Sequence, residues 1–193
     1  MKKAFDFLGV ASEVATSPEQ LERAEKVVLP GVGAFGAAVD KLRESDFFEP
    51  LKDWLAKDKP ILGICLGMQL LMESSVESPG FSGLSFLKGI CQRFESGKVP
   101  QIGWNCVTQV RSDCPMFEGI KNDEFFYLVH SYYVCPEDQS IVAGTTEYGI
   151  NYCSCVWKDN VFATQFHPEK SQTAGLRMLQ NFWNWAEGGK GAP

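Results

Sequence analysis

One short stretch, residues 59–73, constrains the fold of this chain more than any other. It holds an apolar run, a cysteine between two glycines, and a second apolar run with helical spacing. Gly63 and Gly67 stand two residues before and two after Cys65, the spacing of a nucleophile elbow, where a tight strand-to-helix turn exposes the nucleophile. Glycine relieves the crowding as the chain reverses. The stretch therefore predicts a strand, a turn carrying Cys65, and an amphipathic helix.

Such an elbow would also activate its cysteine. The first N–H groups of the helix would point at the sulfur, and their positive dipole favours the thiolate. The N–H of Leu66, the next residue, is placed to hold a developing oxyanion. The alternative is that Cys65 is an ordinary buried cysteine in an apolar strand, which is common for free cysteines. The stretch alone leaves both interpretations open.

Length and charge narrow the class of protein. The chain has 193 residues, and we expect one domain over residues 1–193 with a full hydrophobic core. The net charge of −6 gives no electrostatic reason to expect nucleic acid or an anionic membrane as a partner. No run approaches the ~18 apolar residues of a membrane span. The seven cysteines lack paired CxxC spacings, so we expect free thiols, no metal and a cytoplasmic location.

The order of predicted elements favours an α/β fold. In the first half, strand candidates alternate with helix candidates, which is typical of a central, mostly parallel sheet with helices on both faces. The strand candidates are residues 10–15, 26–29 and 60–65, and the helix candidates include residues 37–43 and 48–57. The second half predicts antiparallel additions at residues 90–94, 104–110, 125–134, 141–145, 152–157 and 161–166. A helix over residues 173–186 and a frayed tail follow. The apolar stripe of that helix is predicted to hold Leu176, Leu179, Phe182, Trp183 and Ala186.

A glycine-rich segment between strand and helix admits two interpretations. Residues 31–36 match the dinucleotide-binding fingerprint, which is a reason to consider a nicotinamide-dependent oxidoreductase. The second strand with an acidic residue, expected about 20 positions on, is missing. That interval instead holds Pro50 and a helical pattern with Asp53 in its middle. A glycine-rich turn can also present bare N–H groups to an anion, and an oxyanion is one such anion.

A cysteine nucleophile needs a base, and the base needs an orienting acceptor. The chain has two histidines, His130 and His167. Glu169 follows His167 by two residues and so lies on the same face of an extended chain. The alternative is that His167 is a surface loop histidine. His130 lies in a strand-like apolar run, where a hydrogen-bonded core histidine is the default interpretation.

Taken together, four segments resemble those of a known family. In residues, order and spacing they are similar to the class I (triad) glutamine amidotransferases, which have a flavodoxin-like fold. The segments are Pro30 to Gly36, Gly63 to Gln69, His130 to Tyr132, and Gln165 to Ser171. Lys98 to Asn105 and Tyr127 to Tyr133 add a narrower resemblance, to the glutaminase subunits of imidazole glycerol phosphate synthases. The resemblance covers nearly the whole chain.

The resemblance implies a role for each matching residue. Cys65 would attack the carboxamide carbon of glutamine, His167 would move the protons, and Glu169 would orient His167. A glutamyl thioester would form and be hydrolysed to glutamate, with no cofactor. The oxyanion would be held by the N–H of Leu66 and by one from the Val32–Gly33 turn, which is expected to flip into place. The amino-acid end of glutamine would be held by Gln69, Glu77, Ser131 and Tyr132.

The resemblance also implies a partner. In that family a cyclase subunit of the (β/α)₈-barrel type forms a heterodimer with the glutaminase and receives its ammonia. The cyclase joins ammonia to a phosphoribulosyl formimino ribonucleotide. The products are imidazole glycerol phosphate and an aminoimidazole carboxamide ribonucleotide, in histidine biosynthesis. Trp104 and Tyr127 are candidates for the interface side of the site, and ordinary aromatic core packing is the alternative for both.

The amino terminus departs from the family pattern. Family members begin with a strand and a turn that lead into the first helix, whereas this sequence begins inside that helix, so we expect the first strand to be missing from the sheet. Three hypotheses follow. The protein is a histidine-pathway glutaminase, a glutaminase feeding another synthetase such as one that amidates a sugar, or an inactive interaction module because the segment is missing.

Overall fold

Helices and strands alternate in the first half of the chain, and strands dominate the second half. The computed structural model describes residues 1–185. The helices are α1 (Lys2–Phe7), α2 (Glu19–Glu22), α3 (Phe35–Glu44), α4 (Phe48–Ala56), α5 (Leu66–Leu70) and α6 (Gln172–Asn184). The strands are β1 (Val27–Gly31), β2 (Ile61–Cys65), β3 (Met72–Ser75), β4 (Leu87–Arg93), β5 (Gln101–Gln109), β6 (Glu124–His130), β7 (Tyr132–Pro136), β8 (Val142–Glu147), β9 (Asn151–Lys158) and β10 (Val161–Thr164).

The strands form one mixed sheet with three parallel neighbours at one side. β1 and β10 flank β2 in parallel, with Gly31 opposite Cys65 and Thr164 opposite Ile64. The path then runs through β9, β7 and β4 to β3, and β9 is antiparallel to β10. β5 pairs with β6 and β8 beside this path. The predicted α/β class, with parallel core strands and antiparallel additions, is confirmed.

Helices cover both faces of the parallel strands. On one face α3 and α4 share an apolar core with Ile61, and on the other α1 and α6 share a core with Leu62 and Ile64. Successive side chains of a strand point to opposite faces. β2 is therefore buried on both sides along its whole length, which is why its sequence reads as continuously apolar. Along residues 1–185, no helix combines the length and apolar character needed to cross a bilayer.

Three glycines allow the chain to turn from β2 into α5. A Cβ on Gly67 would lie 1.8 Å from the carbonyl oxygen of Leu29 in β1. A Cβ on Gly31 would lie 2.9 Å from the Cβ of Leu66, and one on Gly63 would lie 3.0 Å from the carbonyl oxygen of Gly67. Real Cβ atoms do not approach backbone oxygen as closely as 1.8 Å, so α5 can lie against β1 only with glycine at position 67.

The helix after Cys65 is shorter than the sequence predicted. α5 ends at Leu70 and all five of its residues are buried, so the prediction of an amphipathic helix was wrong. The chain continues directly into β3, which pairs in parallel with β4. The backbone N–H of Leu84 donates to the carbonyl of Leu70 at 2.7 Å, and that of Leu87 donates to Leu71 at 2.9 Å. Because of these contacts, the end of the apolar run forms a strand of the sheet and does not continue the helix.

The sheet ends at β1 on one side. Within residues 1–185, β1 pairs with β2 alone, and residues 10–15, predicted as a strand, form none. A groove of about 550 Å³ lies between residues 10–15 and β1. With no neighbouring strand in register, residues 10–15 lack the hydrogen-bond partners that define a ladder.

The closing helix begins where the sequence predicted. Its buried stripe includes Met178, Leu179 and Phe182, whereas Trp183, predicted to be part of that stripe, is 39% exposed. The stripe is centred about one position away from the predicted one, so Trp183 points outward. The predicted helix end at Ala186 and the predicted tail lie outside the described residues. The interpretation as one domain over residues 1–193 stays a prediction.

Replacing Gly67 by alanine tests the close approach of α5 to β1. We expect Gly67→Ala to lower the free energy of unfolding by about 3 kcal/mol or more, because the new methyl group would meet a backbone oxygen that cannot move aside. Urea unfolding followed by circular dichroism measures this. Gly9→Ala is the control, since Gly9 has φ 72 and open space around its Cβ, and should cost only about 1–2 kcal/mol. Equal costs for the two variants would contradict the argument.

Candidate active site

Cys65 occupies a strained turn at the carboxyl end of β2. Its backbone has φ 54 and ψ −107, a conformation that residues other than glycine rarely adopt. Such strain costs about 1–3 kcal/mol and is found mainly at functional sites. The residue is 7% exposed, and α5 begins at the next position. This is the strand–turn–helix arrangement that the glycine spacing predicted.

His167 reaches the same edge of the sheet from the end of β10. Because β10 runs parallel to β2, the carboxyl ends of the two strands lie side by side. The backbone N–H of His167 donates to the carbonyl of Tyr127 at 2.9 Å, and its own carbonyl accepts from the Ser171 hydroxyl at 2.7 Å. Nδ1 of its ring lies 2.8 Å from Oε1 of Glu169. His167 is therefore a buried, fixed side chain and not a surface loop histidine.

Cys65 and Glu169 set the charge of this histidine. Burial lowers the pKa of His167, but the neighbouring Cys65 sulfur and Glu169 carboxylate outweigh burial and raise the pKa to about 9. Burial raises the pKa of Glu169, yet its interaction with His167 brings that pKa below the ordinary value. Nε2 of His167 is buried and makes no hydrogen bond within the described residues. With Nδ1 bound to Glu169, Nε2 is the nitrogen left to exchange a proton with a thiol.

The predicted oxyanion donors border Cys65. Gly31 pairs with Cys65, so Val32 and Gly33 follow directly from the position opposite the sulfur-bearing residue. Val32 is 79% exposed and Gly33 has φ 106, which marks a tight turn. Leu66 opens α5 on the other side. The Val32–Gly33 turn and the N–H of Leu66 thus both lie next to Cys65, one after β1 and the other at the start of α5.

The predicted glutamine-binding residues fall into two places. Nε2 of Gln69 donates to the carbonyl of Tyr132 at 3.1 Å, which joins two of them next to the elbow. The carbonyl of Ser131, before Tyr132, accepts from the N–H of Phe94 at 3.1 Å. Oε2 of Glu77 instead accepts from the N–H of Phe35 at 2.7 Å, at the start of α3 and beside the glycine-rich turn. Glu77 thereby holds the segment that follows the turn.

Sequence reasoning missed Gln165. It lies in the histidine motif but was given no role. The residue is fully buried, and its Nε2 lies 3.6 Å from Sγ of Cys65. A polar side chain at the end of a buried apolar strand must find hydrogen-bond partners inside the protein, and this was the available signal.

His130 is the hydrogen-bonded core histidine that the sequence predicted. Its Nδ1 lies 2.8 Å from the carbonyl of Tyr132, and its Nε2 lies 3.2 Å from the hydroxyl of Tyr152. Burial lowers the pKa of His130 to about 4, so the ring is neutral at pH 7. Both nitrogens are engaged, which leaves His167 as the base for Cys65. Over residues 1–185, no three metal-binding side chains cluster, and a metal-free site stays a prediction.

The raised pKa of His167 predicts a pH dependence of stability. Its pKa is about 9 in the folded protein against 6.5 for an ordinary histidine. Protonated His167 therefore contributes its full stabilisation below pH 6.5 and loses it as the pH rises through about 9. We expect the difference in unfolding free energy between wild type and His167→Gln to shrink over this range. Urea unfolding at several pH values measures it.

Glu169→Gln is the companion variant for this experiment. The amide still accepts a hydrogen bond through its oxygen but carries no charge, so the pH-dependent part of the stability should be smaller than in wild type. Parallel stability curves for wild type and both variants between pH 6.5 and 9 would contradict the assignment of the shift to His167.

Comparison with known proteins identifies the family. The family model of class-I glutamine amidotransferases matches residues 4–185. The imidazole glycerol phosphate synthase subunit HisH of Syntrophotalea carbinolica is 46% identical over 190 residues, which cover 94% of this chain and 92% of that protein. The protein of the same name from Thermococcus kodakarensis is 50% identical over 178 residues, covering 88% of this chain and 87% of that one.

Solved structures share the fold at low sequence identity. A crystal structure of a glutamine amidotransferase matches with a TM-score of 0.75 and 19% identity, over 95% of this chain and 90% of that chain. PurLQS from Thermotoga maritima matches with a TM-score of 0.74 and 20% identity, over 94% and 89%. The family predicted from the four sequence segments is confirmed. The chain belongs to the class I glutamine amidotransferases and is a glutamine amidotransferase enzyme.

Proposed function

We propose that this protein is the glutaminase subunit of an imidazole glycerol phosphate synthase in histidine biosynthesis. The observation that carries the proposal is the meeting of Cys65, His167 and Glu169 at one edge of the sheet. They do so in a chain that is 46% identical to a relative with that subunit name. A thiol, a base and an acceptor that orients the base are the parts that nucleophilic amide hydrolysis requires.

The reaction runs through a thioester. His167 holds the proton of Cys65 as an imidazolium, and the thiolate attacks the carboxamide carbon of glutamine to form a tetrahedral intermediate. The intermediate collapses with cleavage of the C–N bond, and the nitrogen leaves as ammonia after taking the proton from His167. Water, deprotonated by His167, then attacks the thioester carbon. The C–S bond breaks, glutamate leaves, and the thiolate returns beside the imidazolium.

Two backbone groups hold the negative oxygen of the intermediate. The N–H of Leu66 starts α5, and the second donor comes from the Val32–Gly33 turn. Gly33 has φ 106, and a peptide next to glycine can rotate without moving a Cβ. We infer that this turn aims its N–H at the oxyanion when glutamine is bound. Donors fixed in a water-poor site stabilise the developing charge strongly.

The amino-acid end of glutamine is held by four groups in this proposal. Gln69 and the backbone of Ser131 and Tyr132 lie on the side of the elbow that faces β7, and Gln69 and Tyr132 share a hydrogen bond. Glu77 contributes from the side of the glycine-rich turn, where it holds the N–H of Phe35. Polar groups on both sides orient the substrate amide towards Cys65.

A row of exposed apolar side chains, here called the apolar ladder, supports the proposal that the protein binds a protein partner. On one face of the β5–β6 ribbon, Ile102, Trp104 and Phe125 are 59%, 45% and 51% exposed. The register pairs Trp104 with Tyr127, and their ring centroids lie 6.2 Å apart. Rows of exposed aromatic and aliphatic side chains are typical of interfaces. We propose that the barrel cyclase docks on this ladder.

The ladder is joined to the catalytic site through the backbone. Tyr127 lies in β6, and its carbonyl accepts from the N–H of His167 at 2.9 Å. Nζ of Lys170 lies 5.7 Å from the centroid of the Tyr127 ring. Ammonia released in bulk water is readily protonated and lost, so a synthase gains from receiving it across an interface close to the site. A cytoplasmic location fits this proposal and stays a prediction.

Glutamate release tests the proposed function. We expect release by the wild-type protein to increase when the barrel cyclase and its ribonucleotide ligand are added. Cys65→Ala should lower the stimulated rate by about 10³-fold or more, because it removes the nucleophile. Cys114→Ala is the control, since that thiol is buried in the same apolar core but is not one of the proposed site residues. A rate of glutamate release that does not change when the cyclase is added would favour a different synthetase as partner. An unchanged rate in Cys65→Ala would refute the mechanism.

Replacing Trp104 tests the docking surface. We expect Trp104→Ala to raise the dissociation constant for the cyclase about tenfold or more, the loss typical of an interfacial tryptophan. Trp183→Ala is a matched control, because Trp183 is 39% exposed on α6, away from the ladder, against 45% for Trp104. Isothermal titration calorimetry measures both. Equal affinities for the two variants would remove the ladder as the docking surface.

A further inference from the structure

We propose that Gln165 is a positioning residue of the glutaminase site, holding the nucleophilic sulfur and Gln69 in one hydrogen-bonded unit. Its Nε2 donates to Sγ of Cys65 at 3.6 Å, and its Oε1 accepts from Nε2 of Gln69 at 3.2 Å. The inference rests on the proposed function for its role in the reaction. The contacts themselves join the sulfur to a predicted substrate-binding side chain.

The backbone around Gln165 fixes where its side chain can go. The residue follows the last residue of β10, and its N–H donates to the carbonyl of Ser154 at 2.8 Å, which continues the pairing with β9. Gln165 is fully buried and Gln69 is 5% exposed. A buried amide without partners costs about 1–3 kcal/mol, so both ends of the side chain need polar contacts. Cys65 and Gln69 supply them.

The partners of Gln69 determine which end of Gln165 faces the sulfur. The carbonyl of Tyr132 can only accept, so Gln69 must direct its NH₂ group there, at 3.1 Å. The same NH₂ group faces Gln165, which must therefore offer its oxygen to Gln69. The NH₂ group of Gln165 is left for Sγ of Cys65. The carbonyl of Tyr132 in β7 thus fixes the orientation of the Gln69 amide, and Gln69 in turn fixes that of Gln165.

The contact of Gln165 with the sulfur suits the thiolate. As a thiol, Cys65 has one donor contact, to the carbonyl of Val129 at a long 3.9 Å. Loss of the proton removes that hydrogen bond and leaves the carbonyl dipole facing a negative sulfur. The N–H of Gln165 then remains as a donor to the anion, and hydrogen bonds to charged groups are the stronger kind. Gln165 therefore favours the reactive form and fixes the direction of Sγ.

The same contact acts at two points of the reaction. Before attack it holds the sulfur in place beside His167. When water displaces the sulfur from the glutamyl thioester, the C–S bond breaks and the electron pair returns to the sulfur, where the Gln165 N–H again meets a thiolate. Through its oxygen, Gln165 also keeps Gln69 in line with the nucleophile. A side chain without a donor and an acceptor cannot do both.

Alkylation of Cys65 tests the proposal directly. In Gln165→Met, which has similar length but no polar group, we expect iodoacetamide to modify Cys65 about tenfold or more slowly at pH 7, the loss of a hydrogen bond to a charged group. The pH midpoint of the alkylation rate should rise by about one unit. Gln165→Glu should move the midpoint further, because it replaces the donor by an anion. Peptide mass spectrometry on full-length protein reports Cys65 alone.

Thr164→Val is the matched control. Thr164 is fully buried beside Gln165, and its hydroxyl donates to the carbonyl of Phe166 at 2.9 Å without touching the sulfur. Its variant should lose stability without changing the alkylation midpoint. Gln165→Met with a wild-type midpoint refutes the proposal, whatever its stability. Glutamate release that survives Cys65→Ala refutes the proposed function instead, and the alkylation result still decides whether Gln165 controls the sulfur.

Discussion

The site depends on one close approach, that of α5 to β1 at Gly67. The carbonyl oxygen of Leu29 occupies the space that any side chain at position 67 would need. This contact holds α5 tightly behind β2, forces Cys65 into positive φ, and brings the N–H of Leu66 beside the turn that follows Gly31. The strain at Cys65 is tolerated because both faces of β2 are buried in packed cores. A nucleophile on a flexible loop would have no such fixed direction.

The local parts of this arrangement were predictable from sequence. Glycines at two positions around Cys65 define the elbow, and His167 with Glu169 two residues on defines a base with its acceptor. The predictions that were wrong concern segments whose structure depends on pairing with distant strands. Met72 and Glu73 were predicted at the end of the helix after Cys65 but form the start of β3, because β4 offers a parallel partner. Residues 10–15 have strand-like composition but no neighbour in register, and a strand exists only by pairing.

Contacts between distant segments explain what sequence could not supply at the site. The hydrogen bond from Gln165 to Cys65 depends on β10 lying beside β2 in one particular register, with Thr164 opposite Ile64. A shift of one residue would send Gln165 to the other face of the sheet. The tie from His167 to the backbone of Tyr127 has the same origin. The sequence motifs identify the reacting groups, Cys65 and His167. Which buried side chains contact these groups is determined by strand register.

The cysteines scattered through the sheet bear on how the enzyme meets oxidants. Burial raises the pKa of Cys114 to about 12 and moves those of Cys91, Cys153 and Cys155 further above the ordinary value. The thiolate is the form that peroxide attacks, so these sulfurs resist it at neutral pH. Cys106 and Cys135 are only partly buried. Burial therefore protects the thiols inside the sheet and leaves these two within closer reach of an oxidant.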